Sequence, residues 1–231
     1  MSITLYDLTG AEDDRRFSPY CWRIHMALLH KGLDFRTVPW RFTEKDEIAF
    51  SGQGKVPVIV DDGRVVADSW AIAEYLDETY ADRPSLFGGP VAKGLARFAT
   101  DWTEQVVQGG IFRLIANDLF AHIAERDKAY FRTSREERFG MTIEALGADR
   151  EARLPAFQAS LAPARATLAQ QPFLSGNTPA WADYALFGAF QWARAVSPYH
   201  LLAEDDPVHA WRQRLLDAFG GAAGRALGYA V

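Results

Sequence analysis

Residues 56–76 read VPVIVDDGRVVADSWAIAEYL, and the fold follows from how that stretch divides. Val56–Val60 and Arg64–Ala67 are short β-branched runs on either side of Asp61, Asp62 and Gly63. An Asp-Gly turn between two apolar runs signals an antiparallel hairpin. From Ser69 the apolar period changes from 2 to 3.6, with Trp70, Ile72, Ala73 and Leu76 on one face. That change predicts a helix from Ser69 to about Tyr80, buried on one side.

Working outward, Ile3 to Asp7 is strand-like, and Pro19 to His30 is an amphipathic helix ending at Lys31-Gly32, where glycine suits a left-handed C-terminal cap. Asp34 to Val38 reads as a second strand. A strand, helix and strand in this order predict a right-handed crossover between parallel strands. The first part is therefore an α/β unit, β-α-β then β-β-α on a mixed sheet, closed by the break Asp82-Arg83-Pro84. From about Pro90 the strand pattern disappears and helical periodicity takes over. The expected domains are 1–83 and an all-α domain 90–231, with the boundary near 82–92 and helices near 91–123, 134–147, 154–170, 180–195 and 206–219. The first of these is expected to bend at Gly109-Gly110.

Twenty-five basic against 30 acidic residues give a net charge of -5 with no basic stripe, which argues against nucleic acid as a partner. The start MSITLYDLTG lacks a charged segment followed by an apolar one, and no apolar run approaches the roughly 20 residues that span a bilayer. A soluble, cytoplasmic protein with no membrane partner is expected. The single cysteine, Cys21, excludes a disulfide or a dithiol cycle within the chain, and the five histidines show no ligand-like spacing, so no metal is expected.

Three junctions carry residues suited to chemistry. Ser18 precedes Pro19, which fits a serine N-cap followed by proline at the first helical position. A plain cap needs no function. The same geometry also puts a hydroxyl and free N–H groups at a positive helix end, where they would stabilise a thiolate brought by a ligand. An ordinary thiol titrates near ~8.5, and each unit of lowering corresponds to about 1.4 kcal/mol. Val56-Pro57 opens a strand; it is either a structural turn or, if cis, a site where Val56 offers its N–H and C=O to a ligand peptide pairing as an added strand. Asp68-Ser69 opens the second helix. Ser69 is either its N-cap or part of a carboxylate site beside Asp68, which could take an ammonium. A carboxylate and an ammonium on one carbon describe an α-amino-acid terminus.

These junctions in this order, followed only by helices, resemble the cytosolic glutathione S-transferase family over essentially the whole chain. The stretches SPYCWR (18–23), ALLHKG (27–32), VPVIVDDG (56–63) and DSWAIAEYLDE (68–78) are most similar to the bacterial β-etherase-type transferases and their fungal relatives, associated with cleavage of lignin-type aryl ethers. The resemblance implies a thioredoxin-like N-terminal domain that binds glutathione as co-substrate, a helical domain shaping the pocket for a small-molecule electrophile, and a homodimer. It makes Ser18 the catalytic hydroxyl, Val56 with a cis Pro57 the backbone anchor, and Asp68 and Ser69 the γ-glutamyl site. Lys55 and Arg41 are candidates for the glycyl carboxylate. Tyr6 lies near where other classes keep a catalytic tyrosine, and Cys21 falls where thioredoxins have their second cysteine. A glutathione-binding carrier and a thiol-disulfide oxidoreductase acting through Cys21 are therefore the alternatives. Asn177-Thr-Pro-Ala-Trp-Ala-Asp183-Tyr resembles the family's capping motif, with Ala180 where Ser, Thr or Asn is usual, so Asp183 or Thr178 must satisfy the helix N–H groups another way. Trp40, Phe42, Trp102, Phe112, Ile115 and Phe120 are candidates to line an aromatic electrophile's pocket.

Overall fold

β1 (Ile3–Leu8) and β2 (Phe35–Trp40) pair in parallel, from Ile3 opposite Phe35 to Leu8 opposite Trp40, and α1 (Pro19–His30) crosses between them. β3 (Val58–Asp61) runs antiparallel to β1, and β4 (Arg64–Ala67) antiparallel to β3, giving the order β2-β1-β3-β4. The computed structural model describes residues 3–230, so residues 1, 2 and 231 at the outer ends of the two expected domains lie outside the described residues. The hairpin forms as its Asp-Gly turn demands, with Asp62 and Gly63 both at positive φ (49° and 85°). Alternation along β1 sorts its side chains: Asp7 reaches His25 on α1, whereas the Tyr6 ring packs on the other face against Phe50, in a 3-10 turn at Lys45–Ser51.

After α2 (Ser69–Thr79) the chain is helical: α3 (Pro90–Trp102), a π turn (Thr103–Val107), α4 (Gln108–His122), α5 (Glu125–Phe139), α6 (Ile143–Leu146), α7 (Arg150–Ser160), α8 (Ala162–Leu168), α9 (Trp181–Val196) and α10 (Pro207–Arg225). This is a thioredoxin-like domain with a mixed sheet joined to a helical one, as expected. Four of the expected helices depart from expectation. The long first helix is interrupted not at Gly109-Gly110 but by the π turn just before them. The helix expected over 134–147 is α5, which begins at Glu125 and stops at Gly140 (φ 67°). Its sequence ERDKAYFRTSREERF is polar nearly all round and buries only Asp127 and Phe131, so it carries no amphipathic period to read. The helix expected over 154–170 divides into α7 and α8 at Leu161, and Pro163 takes an early position in α8. α10 runs past 219 to Arg225 through a break at Ala218–Gly221.

The two halves are joined through α9, whose side chains are nearly all buried. A Cβ built on Gly188 would lie 2.2 Å from the carbonyl oxygen of Pro19 and 3.3 Å from Cγ of Arg23, so the first turn of α1 rests directly on the α9 backbone. Trp181 donates its backbone N–H to Leu86 O (3.0 Å) and its indole N–H to Thr100 Oγ1 (3.1 Å), tying α9 to the interdomain connection and to α3. Asp183 resolves the incomplete cap at Ala180. Its fully buried carboxylate accepts from the N–H groups of Ala180 (3.2 Å), Leu174 (2.7 Å) and Ser175 (3.1 Å) and from the Trp211 indole (2.9 Å).

Two stability outcomes follow. Asp183→Ala leaves several buried N–H groups unpaired and should cost about 3 kcal/mol, read as a drop of roughly 10 °C in Tm by calorimetry. Gly188→Ala forces α1 off α9 and should cost about 1–3 kcal/mol. Wild-type Tm in the second variant would show that the approach of the two helices is not a constraint.

Candidate functional site

The strand registers bring the three junctions together. Val58 pairs with Tyr6 on one side and Ala67 on the other, so the Val56-Pro57 segment enters β3 at the sheet end where β1 leads towards Leu8 and β4 towards Asp68 and Ser69. The N–H of Phe17 donates to Leu8 O (3.3 Å), which returns the chain to that point just before Ser18. The Val56–Pro57 peptide is cis. None of the described turn and loop hydrogen bonds engages the Val56 N–H or C=O.

Ser18 is the N-cap of α1, with φ -72° and ψ 123°, and its Oγ accepts from the Cys21 N–H (3.1 Å). It is only 3% exposed. The approach to it is fixed by the buried Phe17 and by the Trp22 indole, which donates to Arg16 O (2.9 Å). The hydroxyl oxygen takes up one helix N–H and keeps its O–H to donate, with the buried Cys21 thiol as its neighbour on the same turn.

At the second helix the structure corrects the reading of the cap. Asp68, not Ser69, is the N-cap of α2, its Oδ1 accepting from the N–H groups of Trp70 (2.9 Å) and Ala71 (3.1 Å) with the backbone at φ 77°. A carboxylate beside a positive helix end is a stronger acceptor than a hydroxyl, and it claims the cap one residue earlier. Ser69 becomes the first helical residue, buried, with a hydroxyl that has no partner among the described hydrogen bonds. Both cap bonds fall on Oδ1, which leaves Oδ2 of the exposed Asp68 unused.

The two cations separate. Lys55, next to Val56, is exposed and carries no described ion pair. Arg41 is committed elsewhere: Nε donates to Gly10 O (2.9 Å), Nη2 pairs with Asp13, and Nη1 lies 3.5 Å from Glu44. It pins the loop after β1 and has little left for a ligand. Cys21 is fully buried, and burial, then the neighbouring Asp7 charge, pushes its thiol well above the usual range. That is the reverse of what thiol-disulfide exchange requires. Tyr6, on the far face of the sheet, is likewise held away from Ser18.

Sequence reasoning missed Arg23, Tyr20 and Glu104. The buried Arg23 guanidinium donates to Glu104 in the π turn (2.6 Å) and stacks over the Tyr20 ring (4.6 Å). Burial, then the charge of Glu104, raises the Tyr20 hydroxyl, and the charges of Arg138 and Asp68 reach it as well. Glu104 and Asp68 therefore approach the start of α1 from two different elements. No local signal could have found this, since the partners are 81 residues apart.

The apolar candidates disperse. Phe42 stays near the site, its ring 6.4 Å from that of Phe17, whereas Trp40 and Ile115 are core residues. Trp102 instead lines a cavity of about 640 Å³ together with His30, Phe98, Thr178 and Trp181. His30 ends the 12-residue α1, about 18 Å along the axis from Ser18, so this cavity is separate from the three junctions.

Comparison with known proteins gives the same order of parts. The glutathione S-transferase N-terminal domain model matches residues 17–79, and the C-terminal domain model matches residues 94–216. Glutathione S-transferase U3 of Arabidopsis thaliana is 32% identical over 111 residues, 44% of this chain and 47% of that protein. The chain matches the first curated relatives over less than half of their length (45%, 47% and 41%). A glutathione transferase of Phanerochaete chrysosporium superimposes with a TM-score of 0.77 at 25% identity, covering 97% of this chain and 93% of the other. A glutathione S-transferase of Ceriporiopsis subvermispora, solved in complex with glutathione, shares the fold with a TM-score of 0.80 at 23% identity over 95% and 98% of the two chains. With both domain models matched in sequence order and the C-terminal one spanning more than half of its length, the chain belongs to the glutathione S-transferase family.

Proposed function

We propose that the protein is a glutathione transferase in which Ser18 holds the glutathione thiolate for attack on an electrophilic carbon. The observation that carries this reading is the convergence at one sheet end of unused polar groups matching a γ-glutamyl tripeptide. In this reading the cysteinyl backbone pairs with Val56 ahead of Pro57. The γ-glutamyl carboxylate takes the hydroxyl and backbone N–H of Ser69 at the start of α2, and its ammonium takes Oδ2 of Asp68. The glycyl carboxylate falls to Lys55 rather than Arg41.

The chemistry asked of Ser18 is modest. A hydrogen bond to a charged group contributes about 1.5–3 kcal/mol, enough to lower a thiol by one to two units and make thiolate a large fraction at neutral pH. The thiol proton leaves to solvent and sulfur keeps the electron pair. Sulfur then forms a bond to the electrophilic carbon while the leaving group departs with its own pair. The likeness to β-etherase-type transferases supports an aryl ether as one such substrate, with aryloxide as the leaving group. A cytoplasmic location fits this role, and none of the described helices is long and apolar enough to cross a membrane.

A homodimer belongs to the same reading. Val91, Leu95 and Phe98 lie on one face of α3 and are 82%, 67% and 74% exposed, an apolar stripe that a second copy of the chain would cover.

Ser18→Ala should lower kcat with 1-chloro-2,4-dinitrobenzene by about 10²-fold and raise the bound thiol's apparent pKa by about one unit or more, while the calorimetric Kd for glutathione changes far less. Unchanged turnover removes Ser18 from the role, and binding without turnover of any electrophile, β-aryl ethers included, favours a carrier. Phe98→Asp should convert dimer to monomer in sedimentation velocity; a wild-type sedimentation coefficient places the interface elsewhere.

A further inference from the structure

The basic residues of α5 divide into two groups. Arg126 pairs with Glu44, Lys128 with Glu125 (2.7 Å), and Arg132 with Glu136 (2.9 Å) and Glu144 (2.7 Å). The last two, Arg135 and Arg138, have no carboxylate partner among the described residues. Arg135 donates to Ser134 Oγ (3.0 Å) and otherwise faces rings, 4.7 Å from the centroid of Phe131 and 5.7 Å from that of Phe42. Arg138 lies 5.4 Å from the Phe139 ring. Burial, then the charge of Arg138, pulls the Arg135 pKa down. A half-buried guanidinium next to a second one, with no acid to offset either, leaves room for an anion.

The surroundings say which kind. The Phe42 ring is 5.6 Å from that of Phe131 and 6.3 Å from that of Tyr130, whose ring Lys45 covers at 5.0 Å. This aromatic group reaches the residue before Ser18, and the charge beside it reaches the helix turn after Ser18. Phe17, immediately before it, is 6.4 Å from Phe42, and Tyr20, two residues after it, feels the charge of Arg138. Aromatic faces that meet unpaired guanidinium groups suit a flat ring bearing a negative charge.

We infer that the electrophile brought to Ser18 is an aromatic molecule carrying an anionic substituent such as a carboxylate or phenolate, its ring against Phe42 and Tyr130 and its charge on Arg135 and Arg138. This rests on the transferase reading. It adds a reason for the placement: when sulfur adds to an activated aryl chloride, the C–S bond forms and the displaced electron pair spreads onto the ring before chloride leaves with the C–Cl pair. Fixed cations beside the ring favour that charge as it develops.

The test compares 4-chloro-3,5-dinitrobenzoate with its methyl ester, each normalised to its uncatalysed rate with glutathione. The carboxylate should be favoured in kcat/KM by about tenfold or more, and Arg135→Gln or Arg138→Gln should cut that ratio by a similar factor, with Arg135→Lys retaining part of it. A wild-type ratio near one, or a ratio unchanged in both glutamine variants, overturns the inference. Calorimetric binding of 3,5-dinitrobenzoate and its methyl ester, neither carrying a leaving group, separates this from the transferase reading. Tight binding of the acid without turnover of any electrophile keeps the anion site and discards the transferase; equal binding of acid and ester discards the anion site whatever the turnover.

Discussion

The seam between α1 and α9 governs the rest of the molecule. With no side chain at Gly188, the backbone of α9 touches the first residue of α1, and Ser18 sits on the residue before that contact. A cap at a helix start is ordinarily a mobile place, because its hydrogen bonds face water. Here the start is clamped from below by α9 and held from the side by Phe17 and the Trp22 indole. The position of the Ser18 hydroxyl is therefore set by packing of α1 on α9 rather than by the loop alone. Asp183 supports this indirectly, since the carboxylate that closes the α9 cap also fastens the 174–175 segment and the α10 indole to the same helix start.

Much of the first domain could be read from local patterns. The Asp62-Gly63 hairpin, the alternation of β1 and the Ser18-Pro19 cap depend on residues a few positions apart, and each formed as its chemistry dictates. The helical half was less legible. α5 buries two side chains, and its anchor is Asp127, which takes the N–H groups of Phe42 and Thr43 from 85 and 84 residues away. No window of sequence contains that tie. The exchange of cap roles between Asp68 and Ser69 is subtler: both residues are good caps, and the choice turned on one residue of register and a positive φ. Arg41 shows another limit, since its charge was legible while the three acceptors that occupy it were not.

Charge around the site is arranged by pairing and by its omission. Arg23 is buried and matched to Glu104, so the pair holds the π turn against α1 without presenting a free charge. The basic residues along α5 are neutralised one after another as far as Arg132, whereas Arg135 and Arg138 have no carboxylate partner among the described residues. Lys55, next to Val56, likewise has no ion pair among the described residues. Exposed cations are cheap to leave unpaired, and half-buried ones are not. The contrast within one helix is thus more informative than the total charge of the chain, which is acidic.

The carboxylate of Asp68 divides its labour between its two oxygens, one closing a helix and the other facing outward. An asparagine there keeps a carbonyl oxygen for the cap and tolerates the left-handed backbone, yet turns a neutral amide group outward. Under the proposed function, folding and ammonium recognition, joined in the native residue, become separable by the exchange of one oxygen for nitrogen. Resistance to heat is consequently a poor guide to whether this corner can take up the amino-acid end proposed for it.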